Sequence, residues 1–271
     1  MTVSVAPLGE RDADMDAPQA PHNLGIIRLI DMIFPGDTNH HGTLFGGTAL
    51  AHMDKIAFLA ASRHGRATFV TAASERIDFT APAHEGELVE AAAQVVRVGR
   101  SSIHVEVTLT AEALLSGDRR LCTRGLFTLV AVKEPGTRLP LPPLGPAPVQ
   151  EHHRLMMVDM VFPPQANHYG TLFGGDALRM LGKAAFIAAT RHARSVMVMA
   201  ASERIDFRSP VRVGEMIELN AHVATTGRTS VRVQVELWAE ALLTGARRRA
   251  ASAEFVMVAV GPDGRPCPLS Q

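Results

Sequence analysis

The chain has 271 residues, 46% hydrophobic and 20% charged, with 27 Lys and Arg against 27 Asp and Glu. That is ample apolar material for a core, and a formal net charge of zero excludes a general polyanion binder, which needs a large basic excess. Cys122 and Cys267 are too few for a disulfide framework or a four-cysteine metal site and fit a reduced, cytoplasmic setting. No apolar run approaches the ~20 residues of a membrane span, and the N-terminus has neither the cationic start nor the apolar core of a signal peptide. These features predict a soluble, intracellular protein.

Residues 1–22 are polar and rich in Pro and Ala, and are expected to be disordered. A short strand over Ile26–Ile33 then leads into a Gly-rich loop. A helix of about 17 residues follows from Gly47, with Ala49, Leu50, Met53, Ile56, Ala57 and Ala60 marking one apolar face. Further on, Ile103, Val105, Val107 and Leu109 alternate with His104, Glu106 and Thr108, and Phe127, Leu129 and Ala131 alternate less cleanly. Such period-two runs, split by Gly86, Gly99 and Gly117, predict an antiparallel meander. One long helix against one curled sheet is an α+β arrangement.

The whole pattern occurs twice. Ser74-Glu75-Arg76-Ile77-Asp78-Phe79 returns at Ser202 through Phe207, an offset of 128. At that offset Gly42 through Gly47 matches Gly170 through Gly175, and Ala111 through Leu115 matches Ala239 through Leu243. The register holds without a gap from about residue 29 to residue 132, which is too long for a solenoid unit and marks a duplicated domain. The expected division is domain 1 over 23–133, a linker over 134–151, domain 2 over 152–261 and a tail over 262–271. Six prolines in 134–150 favour an extended spacer at ~3.1 Å per residue rather than a floppy tether. Met197 and Met199 read as strand core positions.

Asn39-His40-His41-Gly42-Thr43-Leu44-Phe45-Gly46-Gly47 followed by Asp54, with Ser74 through Phe79, Pro82, Gly86 and the Gly99-Arg100 strand start, resembles the acyl-CoA thioesterases built from two hotdog domains. These are the cytosolic long-chain acyl-CoA hydrolases and their single-domain bacterial relatives. The resemblance implies two tandem hotdog domains paired as a pseudo-dimer, each an antiparallel sheet wrapped around a central helix. It also implies hydrolysis of a fatty acyl-CoA to free acid and CoA, with no cofactor or metal.

Thioester hydrolysis needs a carboxylate to activate water or attack directly, and donors for the developing oxyanion. Backbone amides at a helix N-terminus are such donors. In the resembled family each site takes Asn and Gly amides from one unit and Asp from the other. Carried over, site one joins Asp54, as general base or nucleophile, with Asn167, Gly174 and Gly175. Site two joins Asn39, Gly46 and Gly47 with the counterpart of Asp54, which is Gly182. Loss of that carboxylate predicts one live and one dead site. Asp176, nearby, reads as a first-turn residue favoured by the helix dipole.

The phosphates of coenzyme A call for a few arginines. Candidates are Arg100 and Arg228 after turn glycines, and Arg119, Arg120, Arg247 and Arg248 after Gly117 and Gly245. His40, His41 and His168 lack the spacing of a metal site, the loop lacks a nucleotide P-loop's Gly-Lys-Ser/Thr, and His64 and His192 read as helix C-terminal residues. Two further functions stay open: a non-catalytic acyl-CoA sensor, and an enoyl-thioester hydratase of the same fold. Nucleic acid is not an expected partner, and further self-association, possible as trimers of double-hotdog chains, is.

Overall fold

The computed structural model describes residues 25–133, 139–146 and 155–269; the segment expected to be disordered, 1–22, lies outside the described residues. The first copy runs β1 (Ile27–Met32), a 3-10 turn at Pro35–Asp37, α1 (Gly46–Gly65), β2 (Phe69–Ser74), β3 (Leu88–Val98), β4 (Ser102–Glu112) and β5 (Arg119–Ala131). The second repeats it as β6 (Leu155–Met160), a 3-10 turn at Pro163–Gln165, α2 (Gly174–Ala193), β7 (Met197–Phe207), β8 (Met216–Thr226), β9 (Ser230–Glu240) and β10 (Arg247–Ala259).

Each copy is a five-stranded antiparallel sheet, ordered β1-β3-β4-β5-β2 and β6-β8-β9-β10-β7. The expected meander is β3-β4-β5. Strand β2 instead pairs at the far edge, because a 20-residue helix carries the chain ~30 Å across the sheet between β1 and β2. Ile103, Val105, Val107, Leu109, Phe127, Leu129 and Ala131 all point inward, as their alternation requires. Ala49, Met53, Ile56, Ala57 and Ala60 form the buried stripe of α1, whereas Leu50 is 40% exposed. The helix is enclosed all round from Leu59 to Gly65 but on one side at its first turns, and Leu50 lies beside that side.

The copies interlock. Ile30 and Leu88 pack into the core of the second copy, and Val158 and Met216 into that of the first. Edge strands β1 and β6 lie against one another. Arginines at each helix C-terminus cross to the other sheet. Arg63 and Arg66 reach Glu240, and Arg63 also reaches Glu218; Arg191 reaches Glu90 and Glu112, and Arg194 reaches Glu112. Glu112 and Glu240 are each 1% exposed, so these carboxylates depend on their arginines. Burial pushes the Glu90 and Glu218 carboxyls up, yet Arg119 and Arg191 around one and Arg63 and Arg247 around the other hold both below the ordinary range. Arg66 and Arg194 end their helices in the left-handed conformation, φ 49 and 47. A Cβ on Gly245 would come within 2.9 Å of the Arg66 guanidinium carbon, so that glycine makes room for the crossing.

The linker and the tail both pack on the copies they follow. Over 139–146 the linker is docked: Leu141 is 4% exposed in the first core, its N–H donates to the Arg100 carbonyl, and His64 Nε2 lies 2.9 Å from the Pro142 carbonyl. The tail is docked the same way on the second copy, with Leu269 N–H donating to the Arg228 carbonyl and Cys267 N–H to that of Ala259. The repeat thus extends in structure to Leu141 and Leu269. Among the described residues no helix is long and apolar enough to cross a membrane.

Candidate active site

Strand β2 doubles back beside α1 after the turn at Arg66, and this brings Thr71 against Asp54. The Thr71 hydroxyl donates to Asp54 Oδ1 at 2.7 Å. Asp54 is half-buried, and the neighbouring Lys55 is committed elsewhere, to Asp159 of the second copy at 2.9 Å. Asp54 is therefore not a lysine-paired surface charge. The composition of one copy gives no hint of Thr71; alignment of the two copies does, because Thr71 becomes Met199 where Asp54 becomes Gly182. Met199 is 47% exposed, not a core residue, and its Cε lies 3.0 Å from where a Gly182 Cβ would stand. The methionine occupies the face that the Asp–Thr pair takes in the first copy. His52, replaced by Met180 in α2, is a second copy-specific residue; burial pushes its imidazole below the ordinary histidine value, with Asp31 pulling the other way.

The glycine-rich loops are braced by their asparagines. Asn39 Oδ1 accepts from the His41 N–H at 2.8 Å while its Nδ2 donates to Thr43 Oγ1 at 2.9 Å. Asn167 does the same with the Tyr169 N–H and Thr171. One N–H of each amide is spent inside the loop, leaving a second donor. Both helices begin after a phenylalanine, Phe45 or Phe173, without a side-chain cap. Their first amides keep free donors and the positive end of the dipole. The two glycines of each pair differ in role. Gly46 and Gly174 face open space, whereas a Cβ on Gly47 or Gly175 would strike the preceding Phe ring at 2.6 or 2.7 Å. Beside each helix start is an apolar cleft, of about 340 Å³ next to Gly46 and 290 Å³ next to Gly174.

Helix α1 meets the second loop where Lys55 stands 5.8 Å from the Phe162 ring centroid. Lys183 of α2 pairs with Asp31 of β1 at 2.9 Å, the mirror of Lys55 with Asp159. Between them a cleft of about 660 Å³ is lined by Phe34 and Asp37 from the first loop with Met180, Gly182 and Lys183 from α2.

Four of the six candidate phosphate-binding arginines are engaged with carboxylates of their own copy. Arg119 pairs with Glu90 and Glu112, Arg247 with Glu218, Arg120 with Glu87 and Arg248 with Glu215. The carboxylates beside these arginines are buried at Glu90, Glu112 and Glu218 and half-buried at Glu87 and Glu215. Arg100 and Arg228 are exposed. Asp176 pairs with Arg179 one turn on, at 2.7 Å. His40 and His41 stack on each other at 3.8 Å, and His168 on Tyr169 at 3.9 Å.

A chain of two sheet-and-helix copies, each with an uncapped helix start and one with a threonine-held carboxylate on its helix, has the build of a thioesterase. The family model of the thioesterase superfamily matches residues 41–116 and 169–246, one match in each copy, and the chain belongs to that superfamily. It is 48% identical to a crystallised acyl-CoA hydrolase from Agrobacterium tumefaciens, with a TM-score of 0.83 over 90% of this chain and 98% of that one. It is 24% identical to the cytosolic acyl coenzyme A thioester hydrolase of Rattus norvegicus over 88% of this chain and 75% of the relative. An uncharacterized acyl-CoA thioester hydrolase of Bacillus subtilis is 38% identical over 44% of this chain and 69% of its own.

Proposed function

We propose that the chain is an acyl-CoA thioester hydrolase with one competent site, joining Asp54 and Thr71 of the first copy to Asn167, Gly174 and Gly175 of the second. The observation that carries the reading is the carboxylate held by Thr71 in one copy and replaced by Gly182 and Met199 in the other. The Agrobacterium tumefaciens relative, named as an acyl-CoA hydrolase and matched almost end to end, supports the substrate class.

Asp54 takes a proton from water as the water oxygen bonds to the thioester carbonyl carbon. Amide N–H groups at Gly174 and Gly175 donate to the carbonyl oxygen as it gains charge, and the second N–H of Asn167 orients water or substrate. The C–S bond then breaks, and the thiolate recovers the proton from Asp54, leaving the free acid and CoA. In the nucleophilic variant Asp54 attacks the carbonyl carbon and expels the CoA thiolate; water then opens the resulting anhydride, restoring the Asp54 carboxylate and giving a proton to the thiolate. Neither route needs a metal or cofactor beyond the CoA of the substrate. Arg100 and Arg228 are the exposed cations proposed to meet the CoA phosphates. The proposed setting is the cytosol.

Further assembly of the double-domain chains, as trimers, is part of the proposal. Val70, Val198, Met199, Phe79 and Phe207 leave apolar surface on or beside the edge strands β2 and β7, as a self-associating protein does. Light scattering that finds a monomer removes this part. Thiol release from acyl-CoAs of C2 to C18 tests the activity itself: turnover that disappears in Asp54→Ala supports the reading, and no release from any thioester refutes it.

A further inference from the structure

The clefts beside the two helix starts share a frame and differ in one charge. Thr80 and Arg208 occupy the same place in the two copies, and their N–H groups donate to the Cys122 and Ala250 carbonyls, each at 2.8 Å. The Thr80 hydroxyl also turns back on its own sheet, donating to the Cys122 carbonyl at 3.2 Å. Arg208 is exposed in the wall of the cleft beside Gly174, and among the described residues its side chain has neither an ion pair nor a hydrogen bond. The carboxylates nearest in the chain are already matched, Asp206 with Arg204 and Glu215 with Arg248. The fold itself does not require a cation at this place, since threonine serves there in the first copy.

We propose that Arg208 pairs with a phosphate of coenzyme A when a thioester occupies the cleft beside Gly174. This rests on the hydrolase reading above and adds a binding residue to its site. The first argument is the side on which each asymmetry falls. The carboxylate is kept in the first copy, at Asp54, and the cation is kept in the second, at Arg208. A site made from the first copy's helix and the second copy's loop needs that crossed arrangement. The other composite site has lost both, with Gly182 on its helix and Thr80 in its cleft.

Reach and polarity agree. Arg228 precedes Leu237, a wall residue of this cleft, by nine residues, about 30 Å of nearly extended chain. Arg208 stands in the wall itself. Leu172, Ala177, Val211 and Leu237 give the cleft apolar sides that suit carbon chain. Arg208 is its exposed cation, placed where a diphosphate can stay hydrated while the guanidinium takes two of its oxygens.

Steady-state kinetics on the full chain test this with two substrates, an acyl-CoA that the parent hydrolyses and the matching S-acyl-pantetheine, which has the same thioester and no phosphate. Arg208→Ala is expected to raise KM for the CoA ester roughly tenfold with kcat little changed, and to leave the pantetheine ester as in the parent. Arg208→Lys keeps the charge but not the planar fork, so an intermediate KM is expected. An unchanged KM for the CoA ester overturns the proposal. An equal rise with both esters overturns it too, because the contact then lies on the part they share, and so does a rise confined to acyl groups that end in a carboxylate. If the parent releases no thiol from any thioester, the hydrolase reading fails and titration calorimetry with CoA alone decides. Weaker binding in Arg208→Ala then supports the phosphate contact, and equal binding, or none in the parent, overturns it.

Discussion

Helices α1 and α2 bury equivalent stripes against equivalent strands, yet the face turned to β2 or β7 carries Asp54 with Thr71 in one and Gly182 with Met199 in the other. The core positions on both helices stay apolar, from Ala49, Met53 and Ile56 to Ala177, Leu181 and Ala184. Packing is shared by both copies because each needs its own core. The proposed chemistry is not, because one carboxylate suffices for one site. The proposed loss of the second site needs no loss of fold: where the Asp is absent, a flexible methionine stands on the same face.

The largest effect expected from breaking the comparison is chemical. Asp54→Ala should lower thiol release by roughly 10²–10⁴-fold, the span of general acid–base catalysis, with an unchanged circular dichroism spectrum. Next is Glu240→Ala, which leaves Arg66 without its carboxylate and Arg63 with Glu218 alone; urea unfolding should show a loss of about 3–5 kcal/mol. Because Glu90 and Glu218 are held below the ordinary carboxylate range when folded, their contribution is full above about pH 4.3 and is lost as pH falls through the lower folded values. Contacts between the copies should therefore loosen only in acid, which an acid titration of tryptophan fluorescence reads through Trp238. Thr71→Val should cost about tenfold in kcat, since the lost hydrogen bond is to a charged group near the surface, while Thr71→Ser retains most of it. The smallest effect is Gly182→Ala. Its helix propensity gains up to ~1 kcal/mol, less the cost of moving the Met199 tip, so a small rise in Tm is expected.

Much of this was legible before any coordinates. Hydrophobic alternation located β4 and the spacing of Ala49 to Ala60 located α1, because each is a local pattern repeated over many residues. The Asn-to-Asp motif pointed to Asp54 only through its resemblance to the thioesterases, and the role of Asp54 is a proposal. Thr71 was not legible from one copy, since its partner lies across a turn and only the doubled-back strand joins them. Met199 misled because an alternating apolar residue on an edge strand has a face that the pattern cannot assign. The ion pairs of the hairpin arginines were not legible either, because sequence shows a charge but not the glutamate beside it; Arg248 and Glu215 are far apart in the chain and paired in space.

The central claim is that the one competent site takes its carboxylate from the first copy and its loop from the second. Asn39→Ala and Asn167→Ala remove the same loop hydrogen bonds in the two copies, so each controls for the structural damage done by the other. Thiol release is expected to fall steeply in Asn167→Ala and to stay close to the parent in Asn39→Ala. Equal losses in the two variants, or a loss confined to Asn39→Ala, would contradict it.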